Sequence, residues 1–144
     1  MPDIRQLWFI SLKSDFRDQA DYWRRFDHWQ FFFPNTPVRR MGDLGDGIMV
    51  DVNGSPFTGF SAIVEPANAQ RTDVEFDAKL LMPEIDLDDV RRIVKDLGGL
   101  SRSENPDSGE PNCQNWLYIL AGMCEEEGIM GEHVKRFLKA IKQR

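Results

Sequence analysis

The chain has 144 residues, enough for one hydrophobic core and a single domain over 1–144. Its 24 acidic against 18 basic residues leave a formal charge of -6, which argues against a surface for nucleic acid or anionic lipid, since both need clustered Lys and Arg. Hydrophobic residues at 41% can bury a core without disulfides or metal, and no apolar stretch approaches the roughly 20 residues that span a bilayer, so the sequence reads as soluble with no membrane span.

In chain order, Arg5 to Leu12 is short, apolar and partly β-favouring, and predicts a buried first strand. Residues 15–26 mix charge with Phe16, Tyr22, Trp23 and Phe26, a spacing that fits either a short helix or an ordered aromatic connection. Asp27 to Phe33, bounded by Pro34 and Pro37, predicts a second strand in which His28, Gln30 and Phe32 share one face. Gly42, Gly45 and Gly47 make a turn into a third strand, Ile48 to Val52, which stops at Asn53-Gly54. Asp51 is the odd residue there, an acid inside an apolar run. Two further strands, Phe57 to Glu65 and Val74 to Leu81, are expected to break at Pro66 and Pro83 and to complete an antiparallel meander of about five strands.

Helices follow. Asp86 can cap a helix with Asp88 and Asp89 in its first turn and Val90, Ile93, Val94 and Leu97 at helical spacing before Gly98-Gly99. Residues 101–111 lack periodicity and read as a loop. Asn112 is a favoured N-cap for a helix that carries Cys113, Trp116, Leu117, Leu120 and Cys124 on one stripe and ends near Gly128. A last helix over about 132–142 turns Val134, Phe137, Leu138 and Ile141 inward. The expected fold class is therefore α+β, an antiparallel sheet packed against C-terminal helices.

The chemistry centres on Cys113. Unpaired N–H groups and the dipole at a helix start favour a thiolate, so the first turn is where a thiol gains reactivity. Cys124 lies eleven residues on, about 16 Å along the same helix, too far for a disulfide and without the dipole's help, so it reads as core. Of the two histidines, His133 sits beside Glu132 outside the apolar stripe of its helix and reads as a surface residue. His28 is the candidate base and Asp51 the candidate carboxylate that orients it. Each residue also has a plainer reading: a lone Cys as a small buried hydrophobe, a lone His as a hydrogen-bonded structural group. No C-x-x-C or H-E-x-x-H pattern suggests a metal, and no cofactor is expected. Two cysteines and an acidic Asp3 in place of a basic leader point to a reducing, cytoplasmic address.

Taken together, His28-Trp29 in a strand, Gly47 to Val52 followed by Gly54, Gly59-Phe60, and Asn112-Cys113-Gln114-Asn115-Trp116 opening a helix resemble the permuted papain-like proteins of the NlpC-like and lecithin:retinol acyltransferase-like group. The pattern is more similar still to a group of small, largely uncharacterised fungal proteins, and it covers about residues 5–140. The resemblance implies a permuted papain-like fold, Cys113 as nucleophile, His28 as general base and Asp51 at the third polar position. Related acyltransferases carry a histidine at that third place, so Asp51 departs from their pattern. It further implies thiol-dependent acyl transfer or hydrolysis of a small-molecule or peptide ester, thioester or amide, with Trp29, Gln30, Asn112 and Trp116 near the substrate. The alternative is a non-hydrolytic biosynthetic enzyme or ligand-binding protein that reuses the cleft, with Trp8, Trp29, Phe31 and Trp116 as its walls. A third reading is an interaction module that uses the 42–47 turn and the acidic 101–111 loop. The oligomeric state is not readable from the sequence.

Overall fold

A computed structural model describes residues 2–13, 28–55, 58–70, 75–101 and 113–141. The 15–26 segment, most of the 101–111 loop and Asn112 fall outside the described residues, and with them the readings made there.

Five strands, β1 (Ile4–Leu12), β2 (His28–Pro34), β3 (Asp46–Ser55), β4 (Gly59–Asn68) and β5 (Phe76–Asp86), precede three helices, α1 (Leu87–Leu97), α2 (Cys113–Glu126) and α3 (Glu132–Ala140). The chain is α+β as expected. The strands form one antiparallel sheet in the order β4-β3-β2-β1-β5. The meander thus holds for four strands only, because β5 pairs with β1 at the far edge instead of with β4.

Neither Pro66 nor Pro83 ends its strand, contrary to expectation. Both lie in edge strands, where a missing N–H need not break a ladder. The pairing of β5 also shifts register against β1 between Arg5 and Leu7, the irregularity beside which Pro83 is accommodated. The third strand likewise continues through Asn53-Gly54. At Gly54 a φ of 131° and an approach to Gly59 that leaves no room for a Cβ require glycine.

Both faces of the sheet are buried, because adjacent residues of β1 and β2 are apolar on either side of the pleat. One face, with Phe9, Trp29, Phe31, Phe33, Val50 and Val52, packs under the three helices. The other holds Trp8, Ile10, Phe32 and Met49 against Leu44 and Ala69. Gln6 ties the loop after β2 onto that second face: its amide donates to the Val38 carbonyl at 2.9 Å, and its oxygen accepts from Val38 N–H and Trp8 Nε1. Each fully buried large side chain contributes about 1.5–3 kcal/mol, so the two layers together dominate the stability.

The Asp86 side chain accepts from Asp88 N–H at 3.0 Å, which caps α1 as the sequence indicates, and Gly98 at φ 67° closes the helix. In α2 the expected stripe is buried: Trp116, Leu117, Leu120 and Cys124 are fully enclosed and Cys113 is 8% exposed. No helix among the described residues is long and apolar enough to cross a membrane.

Candidate active site

Three chain-distant residues converge at one end of the sheet. His28 opens β2, Asp51 lies in β3, and Cys113 is the first residue of α2, which packs on β2 and β3. The β2–β3 register pairs Phe31 with Val50, and one step further it sets Gln30 opposite Asp51. His28 is then the diagonal neighbour of Asp51, a separation that long and ring side chains bridge.

His28 Nε2 lies 2.5 Å from Asp51 Oδ2. The carboxylate is buried, 4% exposed, and hydrogen-bonded at both oxygens: Oδ1 accepts from Val52 N–H at 2.6 Å and Oδ2 also accepts from Gln30 Nε2 at 3.1 Å. Burial of such an acid is tolerated because both of its oxygens meet donors, three in all.

The His28 ring titrates well above its ordinary value of 6.5. Burial works against its charged form, but is outweighed by the negative charge of Cys113, by hydrogen bonds to Asp51 and to Cys113, and by the charge of Asp51. One imidazole is therefore shared between a thiol and a carboxylate. A protonated ring donates from Nε2 to Asp51, and its second N–H, on Nδ1, is the one left for the Cys113 side. About a third of the His28 side chain is exposed, 37%, so the ring is the part of the group that solvent reaches.

The remaining sequence-derived candidates fall elsewhere. Trp29 and Trp116 are buried in the helix-side core, 2% and 0% exposed, and the Trp116 indole donates to the Gly98 carbonyl at 2.8 Å, tying α2 to the end of α1. Gln30 is buried, and its amide is spent on Asp51 and on the Met49 sulfur, 3.1 Å each. It holds the carboxylate in place, a task that its position two residues after His28 on the same strand face could have signalled. Gln114, next to the thiol and 1% exposed, is a second buried polar group of the α2 first turn.

Cys124 lies in the core, where burial pushes its thiol up to about 12. His133 is exposed, as expected, with Nε2 2.6 Å from the Leu81 carbonyl. Among the described residues no group of three or more His, Cys, Asp or Glu side chains could hold a metal ion. Comparison of the chain with protein families, curated proteins and solved structures finds no match, so the chemistry of the site rests on its own geometry.

Proposed function

We propose that the chain is a thiol-dependent enzyme of acyl transfer or hydrolysis, acting on a small-molecule or peptide ester, thioester or amide, in a permuted papain-like arrangement. What carries this reading is one imidazole held by a buried carboxylate on Nε2 while the thiol of a helix-opening cysteine acts on the same ring. A nucleophile, a base and a group that orients the base are the parts that acyl chemistry through sulfur requires. The histidine-first, cysteine-last order of these parts along the chain supports the permuted arrangement.

In this mechanism the Cys113 thiolate attacks the carbonyl carbon and a C–S bond forms. The oxyanion is met at the start of α2, where the helix dipole favours negative charge. As the tetrahedral adduct collapses, the bond to the leaving group breaks and His28 delivers its proton to the departing oxygen, sulfur or nitrogen. His28 then takes a proton from water or an amine that attacks the thioester, and Cys113 leaves as thiolate. Asp51 stabilises the imidazolium and Gln30 steadies Asp51.

The test is turnover of an activated acyl ester, with the acyl-enzyme trapped and located by mass spectrometry. Cys113→Ser and His28→Ala should abolish both turnover and the acylated peptide while the circular dichroism spectrum is kept. Undiminished turnover by Cys113→Ser would overturn the proposal.

A further inference from the structure

The two edges of the sheet are finished differently. On β5 the His133 ring meets the Leu81 carbonyl and Lys79 stacks over Phe137 of α3, so side chains from the last helix cover that edge. On β4 the cover among the described residues is a single one: Phe60 and Leu100 exchange N–H···O bonds of 2.7 and 2.9 Å, and no further pairing follows among those residues.

That bridge fixes the direction of every main-chain group along β4. Phe60 turns its N–H and carbonyl outward to Leu100, so by the period of two Ala62, Val64 and Pro66 also face outward. Pro66, which has no N–H to lose, occupies one of those positions. The N–H and carbonyl groups of Ala62 and Val64 and the carbonyl of Pro66 form a stretch of sheet edge that no described residue claims.

Above it runs an open groove of about 560 Å³ between β4 and α1. Its floor is Phe60, Ala62, Val64 and Val94, and its far wall is the α1 face that carries Arg91 and Lys95. These two cations are four residues apart and exposed, and neither has an ion pair or hydrogen bond among the described residues. In a chain with a formal charge of -6, two exposed cations that have no partner among the described residues, beside a strand edge, are a local reversal of sign.

We infer that the β4–α1 groove binds an extended acidic peptide, which adds as a further strand to the Ala62–Val64 edge and sets carboxylates against Arg91 and Lys95. Main-chain pairing supplies affinity, alternate side chains enter the groove, and the cations choose the sign of the ligand. The bridge to Leu100 is the chain's own use of the same edge, and a peptide would continue that pairing past the point where Gly99 and Gly98 lead away into α1. The groove is separate from the Cys113 site, so the inference stands whatever that site does.

The probe is a fluorescein-labelled, end-blocked hexapeptide of alternating Glu and Val, read by anisotropy against the full chain, with a Lys-Val counterpart as control. The acidic probe should bind and weaken as salt is raised, and the basic one should not bind. Arg91→Glu combined with Lys95→Glu should weaken binding about 10-fold or more. Val64→Pro removes one outward N–H without touching the ladder to β3, so it should weaken binding while the fold is kept, as judged by circular dichroism. No binding of the acidic probe, equal binding of both probes, or indifference to both variants would overturn the inference. So would self-association of the chain through β4, seen by sedimentation, that the probe does not displace.

Discussion

His28 and Asp51 meet on a diagonal across β2 and β3, ring nitrogen to carboxylate oxygen at 2.5 Å, and the carboxylate is held from behind by Gln30 and by the N–H of Val52. The consequence is a fixed proton. With Oδ1 committed to a backbone donor, Asp51→Asn would keep its carbonyl oxygen on Val52 and turn its NH₂ toward His28. Nε2 would then have to accept, so the ring could keep only the hydrogen on Nδ1 and would lose the second proton, and with it the charge, that it holds against Cys113. Acyl transfer should fall by about 10²–10⁴-fold, while thermal unfolding shows the fold intact. Steady-state rates and ¹⁵N shifts of the His28 ring read the two effects separately. A variant with full activity would remove Asp51 from the site.

The two cysteines should differ in reactivity. With burial pushing Cys124 up to about 12, roughly one Cys124 in 10⁵ is thiolate at pH 7, and the residue is fully enclosed. Cys113, at a helix start and beside a proton-retaining imidazole, should take iodoacetamide faster by at least about 10²-fold in the folded state. Peptide mapping after brief labelling measures the ratio, and denaturation should equalise it. Equal labelling in the native protein would show that Cys113 has no activating environment.

Stability should carry the signature of His28. Its folded-state titration lies above the ordinary 6.5, so its ion pair stabilises the fold in full below about pH 6.5 and is lost as pH rises through the higher, folded value. Urea unfolding between about pH 5 and pH 9 should show wild type losing stability with rising pH relative to His28→Gln. Cys113→Ser removes the negative charge that contributes most to raising the ring, so the loss should begin at lower pH in that variant. Parallel curves for wild type and His28→Gln would refute the assignment.

Much of this could be read without coordinates, for reasons that can be named. The α1 boundaries follow from Asp86 as cap and Gly98 as stop, both local signals whose partners lie within a few residues. Asp51 stood out because an acid inside an apolar run needs a buried partner, and period two placed His28 and Gln30 on one face. What escaped was non-local. That β5 returns to β1 depends on which edge the chain reaches after β4, and Pro66 and Pro83 look like strand breakers until the strands that carry them are known to be edges. Trp29 and Trp116 have the composition of ligand walls and of core alike, and only the packing of α2 against β2 and β3 shows them enclosed.

The last prediction separates two reasons for glycine in the consecutive pair after α1. At Gly98 a Cβ would meet nothing within 4 Å, but φ 67° with ψ -148° is a conformation that essentially only glycine adopts, so Gly98→Ala should cost that backbone strain alone, about 1–3 kcal/mol. At Gly99 no positive φ is involved, yet a Cβ would stand 1.8 Å from the Phe60 carbonyl oxygen, an atom of the β4 backbone that cannot rotate aside. Gly99→Ala must therefore push Leu100 away from Phe60 and break the bridge that closes the end of β4. The cost should be larger, about 2–4 kcal/mol, from overpacking together with two lost hydrogen bonds. Urea midpoints for the two variants should rank Gly99→Ala below Gly98→Ala, with faster amide exchange at Phe60 and Leu100 in Gly99→Ala alone. The reverse order would mean that the bridge contributes little, and that the backbone conformation at Gly98 sets the close of α1.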